Sequence, residues 1–179
     1  MKVVLTGGGT GGSVSPLLAI AEKIKKQRPE TEFIFIGTKK GQPEKELIKD
    51  YNFTFFQIFS GKLRRYFSIK NIFDPFLILL GFFQSISLLK KIKPDLIIGA
   101  GGYVSVPVII AGWFLKIPSL IHQQDIVPSL TNKILLPFVK KITVTFERSL
   151  KDFPKNKTIL TGNPVREFIL KGDKKSAIQ

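Results

Sequence analysis

Residues 3–16 read Val-Val-Leu-Thr-Gly-Gly-Gly-Thr-Gly-Gly-Ser-Val-Ser-Pro, and this stretch decides the fold. It predicts a buried strand over residues 2–6, then a loop almost without side chains, then a helix with Ser15 as N-cap and Pro16 in its first turn. Glycine permits positive φ and a close approach to main-chain N–H groups, while the start of a helix carries partial positive charge. The stretch therefore indicates capture of a phosphate or a sugar.

A second glycine loop repeats the pattern. Residues 95–98 predict another apolar strand, and Gly-Ala-Gly-Gly follows it at residues 99–102. If both strands lie centrally in a parallel sheet, both loops open over one crevice at the carboxyl ends of the strands. Because glycines also mark ordinary tight turns, the pair favours a ligand crevice more strongly than either loop alone.

Apolar runs alternate with helical segments along the rest of the chain. This alternation predicts an α/β domain, a Rossmann-like doubly wound parallel sheet of about six or seven strands. The domain is expected over residues 1–166, with residues 167–179 as a linker or tail. The further strands are predicted at residues 32–36, 53–59, 117–121, 141–145 and 157–161, and the helices at 16–27, 43–49, 74–89 and 103–115, with another beginning within 127–134.

The composition of the chain indicates which kinds of partner and site are expected. The 179 residues carry a formal net charge of +15, which favours an anionic partner such as nucleic acid, acidic lipid or a phosphorylated ligand. There is no cysteine and one histidine, His122, so neither a disulfide nor a metal site is expected, and no cofactor is predicted. The apolar run before the first glycine is too short for a secretory signal, which predicts a cytoplasmic location.

Residues 74–89 form the least surface-like segment. Asp74 is a predicted helix cap with Pro75 at the first helical position. The uncharged run over residues 75–89 is 15 residues long, short of the roughly 18–20 that cross a bilayer. Flanking lysines favour a helix lying in a membrane interface, and a core helix covered by a partner or second domain is the alternative. The side chains predicted to meet the membrane are Phe76, Leu79, Leu80, Phe82, Phe83 and Trp113.

Other classes of protein also have to be considered for this sequence. The spacing Gly7-x-Gly9-x-x-Gly12 matches a dinucleotide fingerprint, but strand two ends in Lys39-Lys40 without an acid for the ribose, so an NADP-dependent oxidoreductase is weakened and stays open. No Gly-Lys-Ser/Thr follows the first loop, which excludes a Walker-type nucleotidase. The chain has no nucleic-acid recognition motif, so no nucleic-acid partner is expected.

Four motifs together resemble one family. They are Gly-Gly-Thr-Gly-Gly-Ser-Val-Ser-Pro at residues 8–16, Gly-Gly-Tyr-Val-Ser at 101–105, His-Gln-Gln-Asp at 122–125 with Leu-Thr-Asn-Lys at 130–133, and Gly-Asn-Pro-Val-Arg at 162–166. In order and spacing they resemble the MurG family of cell-wall N-acetylglucosaminyltransferases, which belong to the GT-B superfamily. The chain is similar to the first of that family's two Rossmann-like domains.

The resemblance implies an activity and its partners. Members transfer N-acetylglucosamine from its UDP donor to undecaprenyl-diphosphate-linked muramyl pentapeptide, with inversion and without a metal. The expected partners are therefore UDP-N-acetylglucosamine, a polyprenyl-diphosphate-linked acceptor, an anionic membrane surface at the cytoplasmic face, and a C-terminal donor domain or separate chain. A half-enzyme that is inactive alone, a fragment, and a non-catalytic membrane-docking subunit remain open.

The same resemblance implies site residues. The expected donor contacts are Thr10, Gly11, Gly12, Asp125 and Arg166. The expected acceptor contacts are Ser13, Gly101, Gly102, Tyr103, Gln123 and Asn132. Apart from the resemblance, Arg64 in the basic loop at residues 60–66 is expected at the acceptor because a guanidinium pairs two oxygens of a phosphate at once, and a solvated loop is the alternative.

The chain departs from the family where the base is needed. The family usually has histidine at the position of Ser13 and glutamate at that of Gln123. Neither replacement takes a proton at neutral pH, while the acceptor hydroxyl needs a general base within hydrogen-bond reach. Asp125 is the predicted base, with His122 behind it; altered or lost catalysis is the alternative.

Overall fold

The computed structural model describes residues 1–62 and 70–170, which form a seven-stranded parallel sheet in the order β3-β2-β1-β4-β5-β6-β7. The predicted α/β doubly wound sheet is therefore confirmed. The strands are β1 (Lys2–Thr6), β2 (Glu32–Thr38), β3 (Thr54–Ile58), β4 (Leu96–Gly99), β5 (Ser119–Gln123), β6 (Lys141–Val144) and β7 (Thr158–Leu160).

Helices cover both faces of the sheet. They are α1 (Ser15–Gln27), α2 (Glu44–Leu47), α3 (Lys70–Ile92), α4 (Ser105–Phe114), α5 (Leu130–Leu135) and α6 (Glu167–Leu170). The central strands are apolar on both sides: Val3 and Leu5 of β1 pack with α1, while Val4 packs in the cluster that includes α3 and α4. Each of these three side chains is fully buried, as expected for a parallel strand covered on both faces.

The strand order reverses between β1 and β4. β1 pairs with β2 on one side and with β4 on the other, so the connections diverge at this point. A crevice forms where the order reverses, outside the carboxyl ends of the strands. Both glycine loops follow these two strands, so the topology places them at the same crevice.

Two predicted helix starts are wrong. Ser15 is the first residue of α1 and not its N-cap, because a 3₁₀ turn at Gly11–Ser13 leads directly into the helix, although Pro16 does lie in the first turn. Helix α3 begins at Lys70, so Asp74 is not a cap and Pro75 lies inside the helix. Proline there lacks an N–H, so one carbonyl of the preceding turn has no helical partner.

Helix α3 has one covered and one exposed face. Ser85 and Leu89 are buried toward α4 and the sheet. Within the described ranges, one helical segment, Asp74–Ile92, has the length and apolar composition to cross a membrane, and 17% of its window is buried. The helix connects two strands of one sheet and packs beside that sheet. Its exposed face is therefore an apolar surface of this domain.

The segment after β7 returns across the sheet to α1. The Arg166 side chain hydrogen-bonds the Tyr51 hydroxyl, which donates to Glu22 Oε1 at 2.5 Å, and the N–H of Glu167 donates to Glu22 Oε2 at 3.1 Å. The Glu167 carboxylate pairs with Lys26 of α1. Residues 167–170, predicted as linker, thus form the short helix α6 against the domain, while residues 171–179 lie outside the described part.

Candidate functional site

The two glycine loops touch each other. A Cβ added to Gly102, whose φ is +79°, would lie 2.7 Å from the nitrogen of Gly8 and closer still to its carbonyl oxygen. A Cβ on Gly9 would come 2.5 Å from the ring of Tyr103. Only hydrogen at these Cα atoms permits such an approach. The predicted meeting of the two loops is therefore confirmed.

A cleft of about 300 Å³ opens beside this contact. It lies at the carboxyl ends of β1, β4 and β5, and its walls combine main-chain groups of both glycine loops with polar side chains. Its lining residues are Thr10, Gly12, Ser13, Ala100, Gly101, Gly102, His122, Gln123, Gln124, Asp125, Ser129 and Asn132.

The first loop, Gly7–Ser13, places small groups at the cleft. Thr10 and Gly12 are exposed there, whereas Ser13 is 6% exposed and its hydroxyl donates to the Thr10 carbonyl at 3.1 Å. Gly11 turns toward Leu47 and is not among the lining residues. Three of the four predicted contacts in this loop thus reach the cleft.

The Ser105 hydroxyl contacts the second loop, residues 99–102, and the end of β1. This buried hydroxyl lies 2.7 Å from the Gly101 carbonyl and 3.1 Å from the Thr6 carbonyl of β1. Gly101 and Gly102 line the cleft, while Tyr103 supports it by packing on Gly9. Ser105, which was not predicted, therefore ties the loop after β4 to the end of β1.

Gln123 shapes the loop after β5. Its Nε2 donates to the carbonyls of Asp125 at 2.8 Å and Val127 at 3.0 Å, while its Oε1 accepts from Asn132 Nδ2 at 2.8 Å and from the N–H of Ser129 at 3.3 Å. An amide has two donors and two lone pairs, so these four bonds use its full capacity. Gln123, which lines the cleft and is predicted to contact the acceptor, also organises the loop that presents Asp125.

Asn132 adds an unused acceptor to the cleft wall. Its amide nitrogen donates to the His122 carbonyl at 3.2 Å as well as to Gln123. Its Oδ1 is buried without a hydrogen-bond partner within residues 1–62 and 70–170. Because a buried acceptor without a partner costs free energy, this atom is suited to accept a hydrogen bond from a ligand hydroxyl or amide.

The His122 ring points into the domain. It is 1% exposed, its Nδ1 lies 2.9 Å from the Thr143 hydroxyl, and its Nε2 lies 3.3 Å from the Thr145 hydroxyl. Burial lowers the pKa of His122, and a hydrogen bond with Asn163 opposes this shift. With both nitrogens partnered inside the domain, the structure favours a supporting role for His122 behind the cleft.

The remaining predicted residues lie at different places. Asp125 is exposed at the rim of the cleft, two residues beyond the end of β5. Arg166 lies against Tyr51, and it is not among the residues that line the cleft. Arg64 lies outside the described residues. Burial, followed by the hydrogen bond to Glu22, raises the pKa of Tyr51.

Sequence reasoning missed Glu44. This side chain is fully buried, and its Oε1 accepts hydrogen bonds from the N–H groups of Gly9 at 2.9 Å and Thr38 at 3.4 Å. A charged residue at the start of a four-residue helix reads as surface, and nothing in the local pattern directs it toward a glycine loop 35 residues earlier. Tertiary structure alone identifies it.

Comparison with known proteins assigns the family. Residues 3–144 match the glycosyltransferase family 28 N-terminal domain. The chain belongs to glycosyltransferase family 28. This assignment confirms the GT-B glycosyltransferase expectation over the dinucleotide-dependent oxidoreductase.

Two relatives of this family 28 domain carry the same transferase name. The chain is 48% identical over 177 residues to a Bacillus anthracis UDP-N-acetylglucosamine--N-acetylmuramyl-(pentapeptide) pyrophosphoryl-undecaprenol N-acetylglucosamine transferase, covering 99% of this chain and 49% of the relative. It is 48% identical over 178 residues to the Clostridium botulinum protein of that name, with the same coverage. The chain therefore spans about half the length of these relatives, and the resemblance to MurG is confirmed.

Solved structures of larger proteins superpose on this domain. The Acinetobacter baumannii MurG structure superposes with a TM-score of 0.75 at 32% identity, covering 92% of this chain and 46% of that one. A Neisseria meningitidis UDP-GlcNAc 2-epimerase superposes with a TM-score of 0.67 at 14% identity, covering 91% and 46%, and at that identity the likeness concerns the fold alone. The family 28 domain thus matches about half of each larger structure.

Proposed function

We propose that this family 28 domain is the acceptor half of an N-acetylglucosaminyltransferase. The complete enzyme transfers N-acetylglucosamine from UDP-N-acetylglucosamine to undecaprenyl-diphosphate-muramoyl-pentapeptide, as the names of the relatives state for those proteins. The observation that carries the proposal is the contact between Gly8 and Gly102, which joins two glycine loops beside one polar cleft. A second domain, or a separate chain, supplies most of the donor contacts.

The cleft contains groups suited to sugar transfer with inversion. Asp125 accepts the proton of the acceptor hydroxyl as that oxygen bonds to the anomeric carbon and the UDP leaves from the opposite face. Asn132 Oδ1 and Thr10 orient hydroxyl groups, and the Gly101–Gly102 backbone lies against the acceptor diphosphate. This chemistry needs no metal, and the domain alone is inactive because it lacks the second half.

A fused enzyme tests this proposal and the role of Asp125. Residues 1–170 joined to the second half of the Bacillus anthracis relative are expected to transfer N-acetylglucosamine to a lipid-linked muramyl pentapeptide. Asp125→Asn is expected to lower kcat by about 10²–10⁴-fold, because the general base is lost while the shape is kept. Radiolabel transfer from UDP-N-acetylglucosamine provides the measurement.

Asp50→Asn is the matched control for charge. Asp50 is exposed in the turn before β3 and does not line the cleft, so its substitution is expected to leave kcat unchanged. Full turnover by Asp125→Asn would refute Asp125 as the base. No transfer by the unsubstituted fusion, despite a folded product, would favour the non-catalytic docking subunit.

The exposed face of α3 is proposed to lie on the cytoplasmic side of the membrane. Phe76 is 66% exposed and Phe83 is 61% exposed, and Trp113 and Phe114 at the end of α4 extend this apolar face. Phe82, predicted as part of it, packs partly buried against Phe114 and the core. Exposed lysines at and just after the ends of α3 and α4 suit acidic headgroups. They are Lys90, Lys91, Lys93 and Lys116.

Flotation with liposomes tests the membrane face. The domain is expected to float with vesicles of phosphatidylcholine and phosphatidylglycerol, and Leu79→Asp with Phe83→Asp is expected to weaken binding by at least about tenfold. The reason is that each buried side chain of this size contributes roughly 1.5–3 kcal/mol. The bound fraction as a function of lipid concentration gives the affinity.

Val127→Asp is the control for an added charge at an exposed apolar residue. Val127 is 72% exposed on the loop after β5 and does not belong to α3, and its substitution is expected to leave flotation unchanged. If the unsubstituted domain floats with neither neutral nor anionic vesicles, the apolar face is instead covered by the second half or by a partner protein.

A further inference from the structure

The first glycine loop already contains an anionic group of the protein itself. Glu44 Oε1 accepts the N–H of Gly9 at 2.9 Å and that of Thr38 at 3.4 Å, and Glu44 is fully buried. A Cβ added to Gly8 would overlap this same oxygen. The carboxyl group therefore accepts one N–H of the loop and one of β2, as an anion bound to main-chain N–H groups would.

The other side of the loop is closed as well. The Tyr103 ring packs on Gly9, and Gly102 packs on Gly8. Residues 7–9 are thus held between Glu44 on one side and the second glycine loop on the other. The Gly9 N–H has its acceptor, and a ligand phosphate placed there would meet a carboxylate of the same sign at close range.

We propose that Glu44 is a positioning residue that fills the anion site of the first glycine loop, so that ligand phosphates bind beside the second loop and not at Gly9. This inference rests on the proposed diphosphate-binding cleft. The first loop then meets the ligand only from Thr10 onward, through a hydroxyl and Gly12, which suits neutral sugar groups. Glu44 Oε2 is buried and has no hydrogen-bond partner within the described residues, so Oε1 alone bonds to the loop.

Amide NMR of the complete chain tests the assignment, with inorganic pyrophosphate as the probe. In the unsubstituted chain, the Gly9 amide is expected to exchange slowly with solvent and to keep its chemical shift during the titration, while the amides of Gly101 and Gly102 move. In Glu44→Ala, the Gly9 amide is expected to exchange at least about tenfold faster, because it loses its buried acceptor, and to respond to pyrophosphate.

Two further variants distinguish the loss of the oxygen that accepts the Gly9 N–H from a general loss of stability. Glu44→Gln keeps an oxygen that accepts the Gly9 N–H, so it is expected to restore slow exchange. Glu46→Ala removes an exposed carboxylate from the same short helix and is expected to behave like the unsubstituted chain. If Glu44→Ala does not fold, Glu44→Gln and the unsubstituted chain still report which loop responds to pyrophosphate.

The outcomes distinguish this inference from the proposed function. Rapid exchange of the Gly9 amide in the unsubstituted chain, or a Gly9 shift on pyrophosphate addition as large as that of Gly102, would overturn the role of Glu44. If pyrophosphate moves no amide at millimolar concentration, the diphosphate cleft of the proposed function fails. The exchange rates of Gly9 in the unsubstituted chain and in the Glu44 variants then still decide whether Glu44 holds the loop.

Discussion

Gly102→Ala is expected to separate the two glycine loops and destroy the cleft. The residue has φ of +79°, and an added Cβ would collide with the backbone of Gly8. The left-handed conformation alone costs an L-residue about 1–2 kcal/mol. The collision adds to this cost, because main chain anchored by Glu44 cannot move aside as a flexible side chain would. We expect a loss of about 3 kcal/mol or more in the free energy of unfolding, measured by urea denaturation.

Gly101→Ala provides the matched control. Gly101 has φ of +85°, but a Cβ there would meet nothing within 4 Å. It should therefore show only the conformational cost, about 1–2 kcal/mol, and the difference between the variants isolates the contact between the loops. Equal losses would contradict the close packing of Gly102 on Gly8. In the fused enzyme, Gly102→Ala is also expected to lose more transfer activity than Gly101→Ala.

Gln123→Ala is expected to have the second largest effect. The substitution removes four hydrogen bonds and leaves the carbonyls of Asp125 and Val127 and the side chain of Asn132 without this partner. At about 1 kcal/mol for each bond, the expected loss in the free energy of unfolding is roughly 2–4 kcal/mol. Because the loop also presents Asp125, kcat of the fused enzyme should fall while affinity for UDP-N-acetylglucosamine changes little.

The neighbouring residue, Gln124, provides the matched control for Gln123. Gln124 is half-buried, and within the described residues its side chain makes one long hydrogen bond, from Nε2 to the Ala100 carbonyl at 3.4 Å. Gln124→Ala is expected to lower the free energy of unfolding by less than about 1 kcal/mol. If the two alanine variants unfold at the same urea concentration, Gln123 does not organise the loop.

Much of the fold could be predicted from local patterns. Short apolar runs such as Phe33–Ile36 have the length and β-branched or aromatic content of buried strands, and their alternation with helical segments requires parallel crossovers. Boundaries were less predictable. Asp74 and Pro75 have the composition of a helix start, yet α3 begins at Lys70 and continues through the proline that local preference places at a helix start.

Residue roles in the site depended on neighbours distant in sequence. Gln123 and Asn132 were predicted from motifs. Only the fold shows that the Gln123 amide makes four hydrogen bonds to the loop after β5 and to Asn132, and that the Asn132 Oδ1 has no hydrogen-bond partner among the described residues. Arg166 was expected at the donor, and in the structure its partner is Tyr51. A motif names residue types at a spacing; it does not state where each side chain points.

The sequence by itself determined the parallel α/β architecture, the two glycine loops and the family, because glycine, proline and apolar periodicity act through backbone conformation and local burial. Tertiary structure alone decided that Gly8 touches Gly102, that Glu44 fills the first loop, and that His122 faces inward. The reason is physical: these contacts join residues between 21 and 94 positions apart, and their geometry exists only after the strands have paired.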